Sequence, residues 1–151
     1  MIDSIVSNFE SPATGGKPFR LSDQQGKIVV LYFYPKDSTP GCTTEAQQFR
    51  DLYPEFTQAG CVIAGVSRDS LRSHDNFKTK QELPFELLSD TEEALCAQFA
   101  VIKDKKLYGK PVRGIERSTF LIDRAGVLRR EWRGVKADGH AREVLDFART
   151  L

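Results

Sequence analysis

The residues best placed to do chemistry lie in one stretch, Tyr34-Pro-Lys-Asp-Ser-Thr-Pro-Gly-Cys-Thr-Thr-Glu45. It follows an apolar run and opens a helical pattern, which puts Cys42 at a helix N-terminus. Backbone N–H groups without helical partners and the positive end of the helix dipole favour an anion there. For a cysteine that anion is the thiolate, which is the nucleophile. A thiol of pKa 8.5 is only about 3% ionised at pH 7, whereas one of pKa 6 is about 90% ionised. Pro40-Gly41 lets backbone approach closely just before the sulfur. Thr39 adds a hydroxyl three residues upstream, able to hydrogen-bond a group that the sulfur attacks. The plainer alternative is a small apolar side chain at a helix start, a common role for a free cysteine.

These residues need elements to hold them. Ile28–Tyr34 is β-branched or aromatic at every position but Leu31, the pattern of a strand buried on both faces, and Pro35 ends it. Phe49, Leu52, Tyr53 and Phe56 recur at helical spacing, predicting a helix from about Thr43 to Ala59, stopped by Gly60 and kinked or split by Pro54. Cys61–Ser67 reads as a second buried strand and Ser70–Gln81 as a helix with Leu71, His74 and Phe77 on one face. Phe85–Ser89 reads as a third strand, followed by a short helix opened by acidic residues at 90–93 and running through Phe99. Ile102–Glu116 reads as a basic loop, a solvated segment or a docking edge. Ser118–Ile122 and Val127–Trp132 form a hairpin around Asp123–Gly126, and Gly139–Leu151 is a last helix. Two short apolar pieces, around Phe9 and at Phe19–Leu21, suggest a small N-terminal hairpin. Strands that alternate with helices and then close in a hairpin make an α/β fold with a mixed sheet.

The chain has 151 residues, 40% hydrophobic and 28% charged, which suits one domain over residues 1–151 and excludes a disordered chain. Twenty-two Lys and Arg against 21 Asp and Glu leave a net charge of +1, which argues against nucleic acid or a membrane surface as partner. No apolar run is long enough to cross a membrane, and no signal peptide is expected, because Met1-Ile-Asp-Ser4 has no basic region followed by an apolar one. Three cysteines are too few for a disulfide scaffold, so a reducing compartment, the cytoplasm, is expected. Cys42, Cys61, Cys96, His74 and His140 show no metal-ligand spacing. Both histidines are expected at the surface or at helix caps. No nucleotide-binding glycine motif is present, so no cofactor is expected. Thr39 stands where a C-x-x-C motif would have its first cysteine, which rules out a vicinal-disulfide reductase.

Pro35-x-x-x-Thr39-x-x-Cys42 resembles the active-site signature of the peroxiredoxins, and Phe33–Glu45 as a whole resembles their Bcp/PrxQ subfamily. Phe49-Arg-Asp51, Gly65–Asp69, Leu87–Asp90 and Gly114–Asp123 extend the likeness, in order, over nearly the whole chain. The resemblance implies a thioredoxin fold of the peroxiredoxin type, with a central mixed β-sheet flanked by helices and an N-terminal hairpin extension. It implies a thiol-dependent peroxidase acting on hydrogen peroxide and organic hydroperoxides, in antioxidant defence and redox homeostasis. By position, Cys42 matches the peroxidatic cysteine, Thr39 its hydroxyl partner and Arg117 the active-site arginine. Pro35 matches a residue that shields the sulfenic acid, and Glu45 one that orients the arginine. Arg117, Thr39 and the N–H groups of residues 42 and 43 are then expected to hold the peroxide oxygens in line. Without the resemblance, Arg117 is an ordinary arginine before a strand, Glu45 a first-turn helix acid and Pro35 a strand terminator. A non-enzymatic redox sensor or holdase on the same fold is the alternative of another class, but it has no need of all four of Pro35, Thr39, Cys42 and Arg117.

The departure from the family pattern lies in the second cysteine. Many subfamily members carry one five residues after the first, where this chain has Gln47; others carry one near residues 76–80, here Asn76-Phe-Lys-Thr-Lys80. A one-cysteine cycle closed by an external thiol (thioredoxin, glutaredoxin or glutathione) is the leading expectation. An intramolecular disulfide to Cys96 or Cys61 is the alternative, and core packing the default for both cysteines. The resemblance leans to a monomer or weak dimer.

Overall fold

The computed structural model describes residues 2–151. Its centre is a five-stranded sheet in the order β5-β4-β3-β8-β9. β3 (Ile28–Phe33), β4 (Cys61–Ser67) and β5 (Glu86–Ser89) run parallel, while β8 (Ser118–Ile122) is antiparallel to β3 and β9 (Leu128–Arg133) to β8. All six residues of β3 are buried because side chains from its two faces enter different cores. Ile28, Val30 and Tyr32 enter a core with α1 (Pro40–Asp51), α2 (Tyr53–Gln58), α3 (Leu71–Gln81) and α5 (His140–Ala148). Val29, Leu31 and Phe33 enter a second core with α4 (Ala94–Gln98) and the N-terminal hairpin of β1 (Glu10–Ser11) and β2 (Phe19–Arg20). This is the expected thioredoxin-type mixed sheet between helices, with its N-terminal extension.

Two expectations need adjustment. The long helix divides, at Leu52 rather than at Pro54 itself. Proline cannot supply an N–H to the previous turn and is tolerated in a helix's first turn, so Pro54 sits at the start of α2. The basic segment 102–116 is not a loop. It folds as a hairpin of β6 (Ile102–Leu107) and β7 (Lys110–Ile115), turning at Tyr108 and Gly109, both at positive φ. Charged residues on both faces erase the period-2 apolar signal by which a strand is read.

Phe49 joins α1 to the sheet. It is fully buried, with its ring centroid 4.6 Å from that of Tyr32 and 5.8 Å from that of Phe56. Phe49→Ala should therefore lower the unfolding free energy by about 3–5 kcal/mol, read by denaturant titration.

Candidate active site

β3 and β8 are antiparallel neighbours, with Phe33 opposite Ser118. The end of β3 and the start of β8 therefore lie side by side. The first feeds the loop into α1 and the second is preceded by Arg117, so residues 75 apart in sequence meet. Pro40 occupies the first helical position of α1, where a missing N–H costs nothing. Thr43 N–H is already bonded to the Thr39 carbonyl, at 2.9 Å. The pair of amides expected at residues 42 and 43 is thus displaced by one: among the described residues, the unpartnered amides of the first turn belong to Gly41 and Cys42.

Cys42 is buried, and Arg117 Nη2 donates to its Sγ at 3.5 Å. Arg117 Nη1 donates to Glu45 Oε1 at 2.7 Å. One guanidinium therefore spans the sulfur and a fully buried carboxylate one turn further along α1. Burial alone would depress the Arg117 pKa; the charges of Glu45 and Cys42 outweigh it and hold the group above its ordinary value. Burial pushes the Glu45 carboxyl up to about 7, against the pull of Arg117. Glu45 Oε2 has no partner among the described residues, which leaves the desolvation uncompensated. Gly41 makes room for this arrangement, since a Cβ there would lie 3.1 Å from Arg117 Nη2.

Thr39 is the N-cap of α1, but its hydroxyl donates to the Lys36 carbonyl at 2.9 Å. That leaves the lone pairs of the Thr39 hydroxyl to accept a proton from an incoming group. Pro35 is exposed on the turn after β3. The fold thus joins Cys42, Arg117 and Glu45 by direct contact, and places Thr39 and Pro35 on the loop that leads to them.

A second network went unread in the sequence. Asp37 is buried, and its carboxylate accepts from Tyr34 Oη at 2.6 Å and Ser73 Oγ at 2.9 Å. Its Oδ2 lies 2.7 Å from His74 Nδ1. Burial holds the Tyr34 phenol well above its usual pKa, so it remains a donor. The Asp37 N–H donates to Asp69 Oδ2, and His74 Nε2 lies 2.9 Å from the Leu88 carbonyl. Both histidines are therefore interior rather than superficial: His74 is fully buried in this network, and buried His140 has Nε2 2.7 Å from Thr119 Oγ1. The available signal was the placing of His74 on the same helical face as Phe77. Asp37, Asp69 and His74 bring three possible ligand atoms within 4.8 Å of one another, a combination that cysteine and histidine spacing does not reveal. The facing atoms already exchange hydrogen bonds within the network, so the cluster ties the loop down without an ion.

A sulfur beside a fixed guanidinium and two free amides can attack an electrophilic oxygen while these donors stabilise the departing one. Residues 2–131 match the AhpC/TSA family, and the chain belongs to that family, whose members here are peroxiredoxins, thiol-dependent peroxidases. More narrowly, the chain is similar to proteins of the Bcp/PrxQ kind. It is 55% identical to peroxiredoxin Bcp of Bacillus subtilis over 150 residues, covering 99% of this chain and 96% of that one. A solved structure of the Xanthomonas campestris bacterioferritin comigratory protein, described for its alkyl peroxide reduction activity, superposes with a TM-score of 0.90 at 52% identity, covering 94% of this chain and 90% of that one. A cysteine-to-serine mutant of Xylella fastidiosa PrxQ gives 0.94 at 44% identity, covering 99% and 96%.

The raised Glu45 pKa predicts a pH dependence of stability. The unfolded chain releases this proton near 4.5 and the folded chain near 7. Between those values the native state binds more protons, so the stabilisation is complete below 4.5 and is lost as pH rises towards 7. Compared with Glu45→Gln, the wild type should lose unfolding free energy across pH 4.5–7, by up to about 1.4 kcal/mol per pH unit. Parallel denaturant titrations of the two proteins measure the difference directly.

Proposed function

We propose that Cys42 is the peroxide-reacting thiol of a one-cysteine cycle, acting on hydrogen peroxide and alkyl hydroperoxides and regenerated by an external thiol. The observation that carries this reading is the Arg117 guanidinium bridging Cys42 Sγ and Glu45. In the first step the Cys42 thiolate attacks the nearer peroxide oxygen. An S–O bond forms as the O–O bond breaks, and the leaving hydroxide or alkoxide takes a proton. Sulfur is oxidised to sulfenic acid while the peroxide is reduced to water or alcohol. Arg117 and the Gly41 and Cys42 amides orient the two oxygens and stabilise charge that develops mainly in the transition state, while the Thr39 hydroxyl accepts a hydrogen bond from the peroxide. Glu45 fixes the guanidinium, and Pro35, exposed on the loop before α1, takes the shielding role that the family resemblance gives it. An external thiol then displaces water from the sulfenic acid to give a mixed disulfide, and a second thiol releases Cys42.

Two further observations support a cycle without a resolving cysteine. Cys96 belongs to the core on the opposite face of the sheet from Cys42. Cys61 pairs with Ile28 at the start of β3, whereas Cys42 follows its other end; five steps of strand rising about 3.3 Å each put roughly 16 Å between those two ends. A disulfide needs Cα atoms within about 7 Å. Burial also pushes the Cys61 thiol up to about 11 and raises Cys96 further, with Asp90 adding to the effect, so neither is a ready nucleophile. Thioredoxin, glutaredoxin and glutathione all supply the chemistry required of the reductant. We place the protein in the cytoplasm, a reducing compartment in which its three free cysteines would stay reduced, and, on the family resemblance, as a monomer or weak dimer.

One equivalent of peroxide added to the reduced protein should raise its intact mass by about 16 Da, as a sulfenic acid absent from Cys42→Ser. A loss of about 2 Da would instead show an internal disulfide and overturn the one-cysteine cycle. Equal peroxide consumption by wild type and Cys42→Ser would remove Cys42 from the chemistry. Arg117→Ala should slow Cys42 oxidation about 10²–10³-fold in stopped-flow measurements, the usual cost of one transition-state donor.

A further inference from the structure

The Asp37–His74 pair lies outside the set of groups that face the peroxide, yet it is the most heavily bonded point of the loop that delivers Cys42. The Leu88 carbonyl can only accept, so His74 Nε2 carries a proton. His74 Nδ1 faces the Asp37 carboxyl, and a single further proton lies between them, as imidazolium with carboxylate or as imidazole with acid. Either distribution leaves the pair with no net charge, which makes its complete burial tolerable. Around it, Asp37 is held from three directions: by Tyr34 at the end of β3, by Ser73 on α3, and through its own N–H by Asp69 after β4. Asp69 Oδ2 is itself bonded to Ser67 Oγ, which anchors that arm to β4. Ser38, the next residue, is at φ +63, a conformation that a serine keeps only where its neighbours hold it. Thr39 then caps α1, and Cys42 follows three residues later.

We propose that Asp37 and His74 are positioning residues for Cys42, fixing the first turn of α1 so that the sulfur and the Gly41 and Cys42 amides stay in register with Arg117. The inference rests on Cys42 being the peroxide-reacting thiol. Arg117 comes from the β8 side and bonds Cys42 and Glu45 on α1. The Asp37–His74 pair comes from the β4–α3 side and bonds the loop before α1. The helix start is thereby pinned from both flanks. With the second pin removed, the sulfur remains a thiol at a helix end but loses its alignment with the donors. Alignment matters to peroxide, whose two oxygens must both be held, and matters far less to a simple alkylating agent.

That difference supplies the test. The second-order rate constants of reduced Cys42 with hydrogen peroxide and with iodoacetamide are measured for wild type, Asp37→Ala and Asp37→Asn, with folding checked by circular dichroism. Asp37→Ala strips partners from Tyr34, Ser73 and His74, and the ratio of peroxide to iodoacetamide rate constants is expected to fall at least fivefold. Asp37→Asn can rebuild the same bonds, its oxygen accepting from Tyr34 and its amide donating to Ser73 Oγ and to neutral His74 Nδ1. It is expected to restore the ratio to within twofold of wild type. A smaller fall in folded Asp37→Ala, or both rates dropping by one common factor, would reduce the pair to a stability element and overturn the proposal. So would failure of Asp37→Asn to restore the ratio. Where Asp37→Ala does not fold, Ser73→Ala removes a single donor, and a ratio unchanged within a factor of 1.5 overturns the proposal in the same way. If wild type reacts with peroxide no faster than Cys42→Ser, it is the reading of Cys42 itself that fails.

Discussion

The site depends on keeping one positive charge in contact with a buried sulfur. A guanidinium taken out of water loses hydration worth several kcal/mol, and only close anions and fixed acceptors offset that. Glu45 is the offset here: a carboxylate without solvent contact, bonded to Arg117 through one oxygen while the other goes unpaired. The incomplete satisfaction of Glu45 has a consequence for the sulfur. A carboxylate fully neutralising Arg117 would leave little attraction for a thiolate. Here the guanidinium stays protonated and still donates through its second Nη to Cys42 Sγ.

Sheet topology places these groups before any side chain makes a bond. Antiparallel pairing of β3 with β8 brings the loop into α1 beside the residue that precedes β8. Parallel pairing of β4 with β3 on one side and β5 on the other brings Asp69 and the Leu88 carbonyl to the same end of the sheet, where they meet Asp37 and His74. Ends of parallel strands where chain segments diverge are the usual place for a site in an open α/β sheet. The site is assembled here from loops that follow β3 and β4 and from the residue that leads into β8.

The chain's local chemistry explains which parts were legible in the sequence. β3 could be read because six consecutive large apolar residues, five of them β-branched or aromatic, admit little else, and Cys42 because Pro-Gly before a helical apolar pattern marks a helix start. Arg117 and Glu45 carried no signal of their own; only the resemblance singled them out, since their meeting depends on a strand pairing across the sheet. The β6–β7 hairpin was hidden because neither of its faces is uniformly apolar. Asp37 was hidden for the opposite reason, as an acidic residue in a loop reads as solvated, and only the fold shows that four neighbours take up its hydrogen-bonding capacity. Polar residues that turn inward are the hardest to foresee, because their burial is decided by partners distant in sequence.

Two polar networks therefore flank one helix terminus, and they differ in kind. The Arg117–Glu45 arm is incompletely satisfied and charged, which suits a group that must respond as negative charge moves from sulfur to oxygen. The Asp37–His74 arm has a partner for each polar atom that faces inward and has no net charge, which suits a group that must stay still while that happens. Anchoring the preceding loop to β4 and α3 through hydrogen bonds would hold the start of α1 in register with Arg117 in the reduced protein. In the proposed reaction the donors would then meet the transition state already in place.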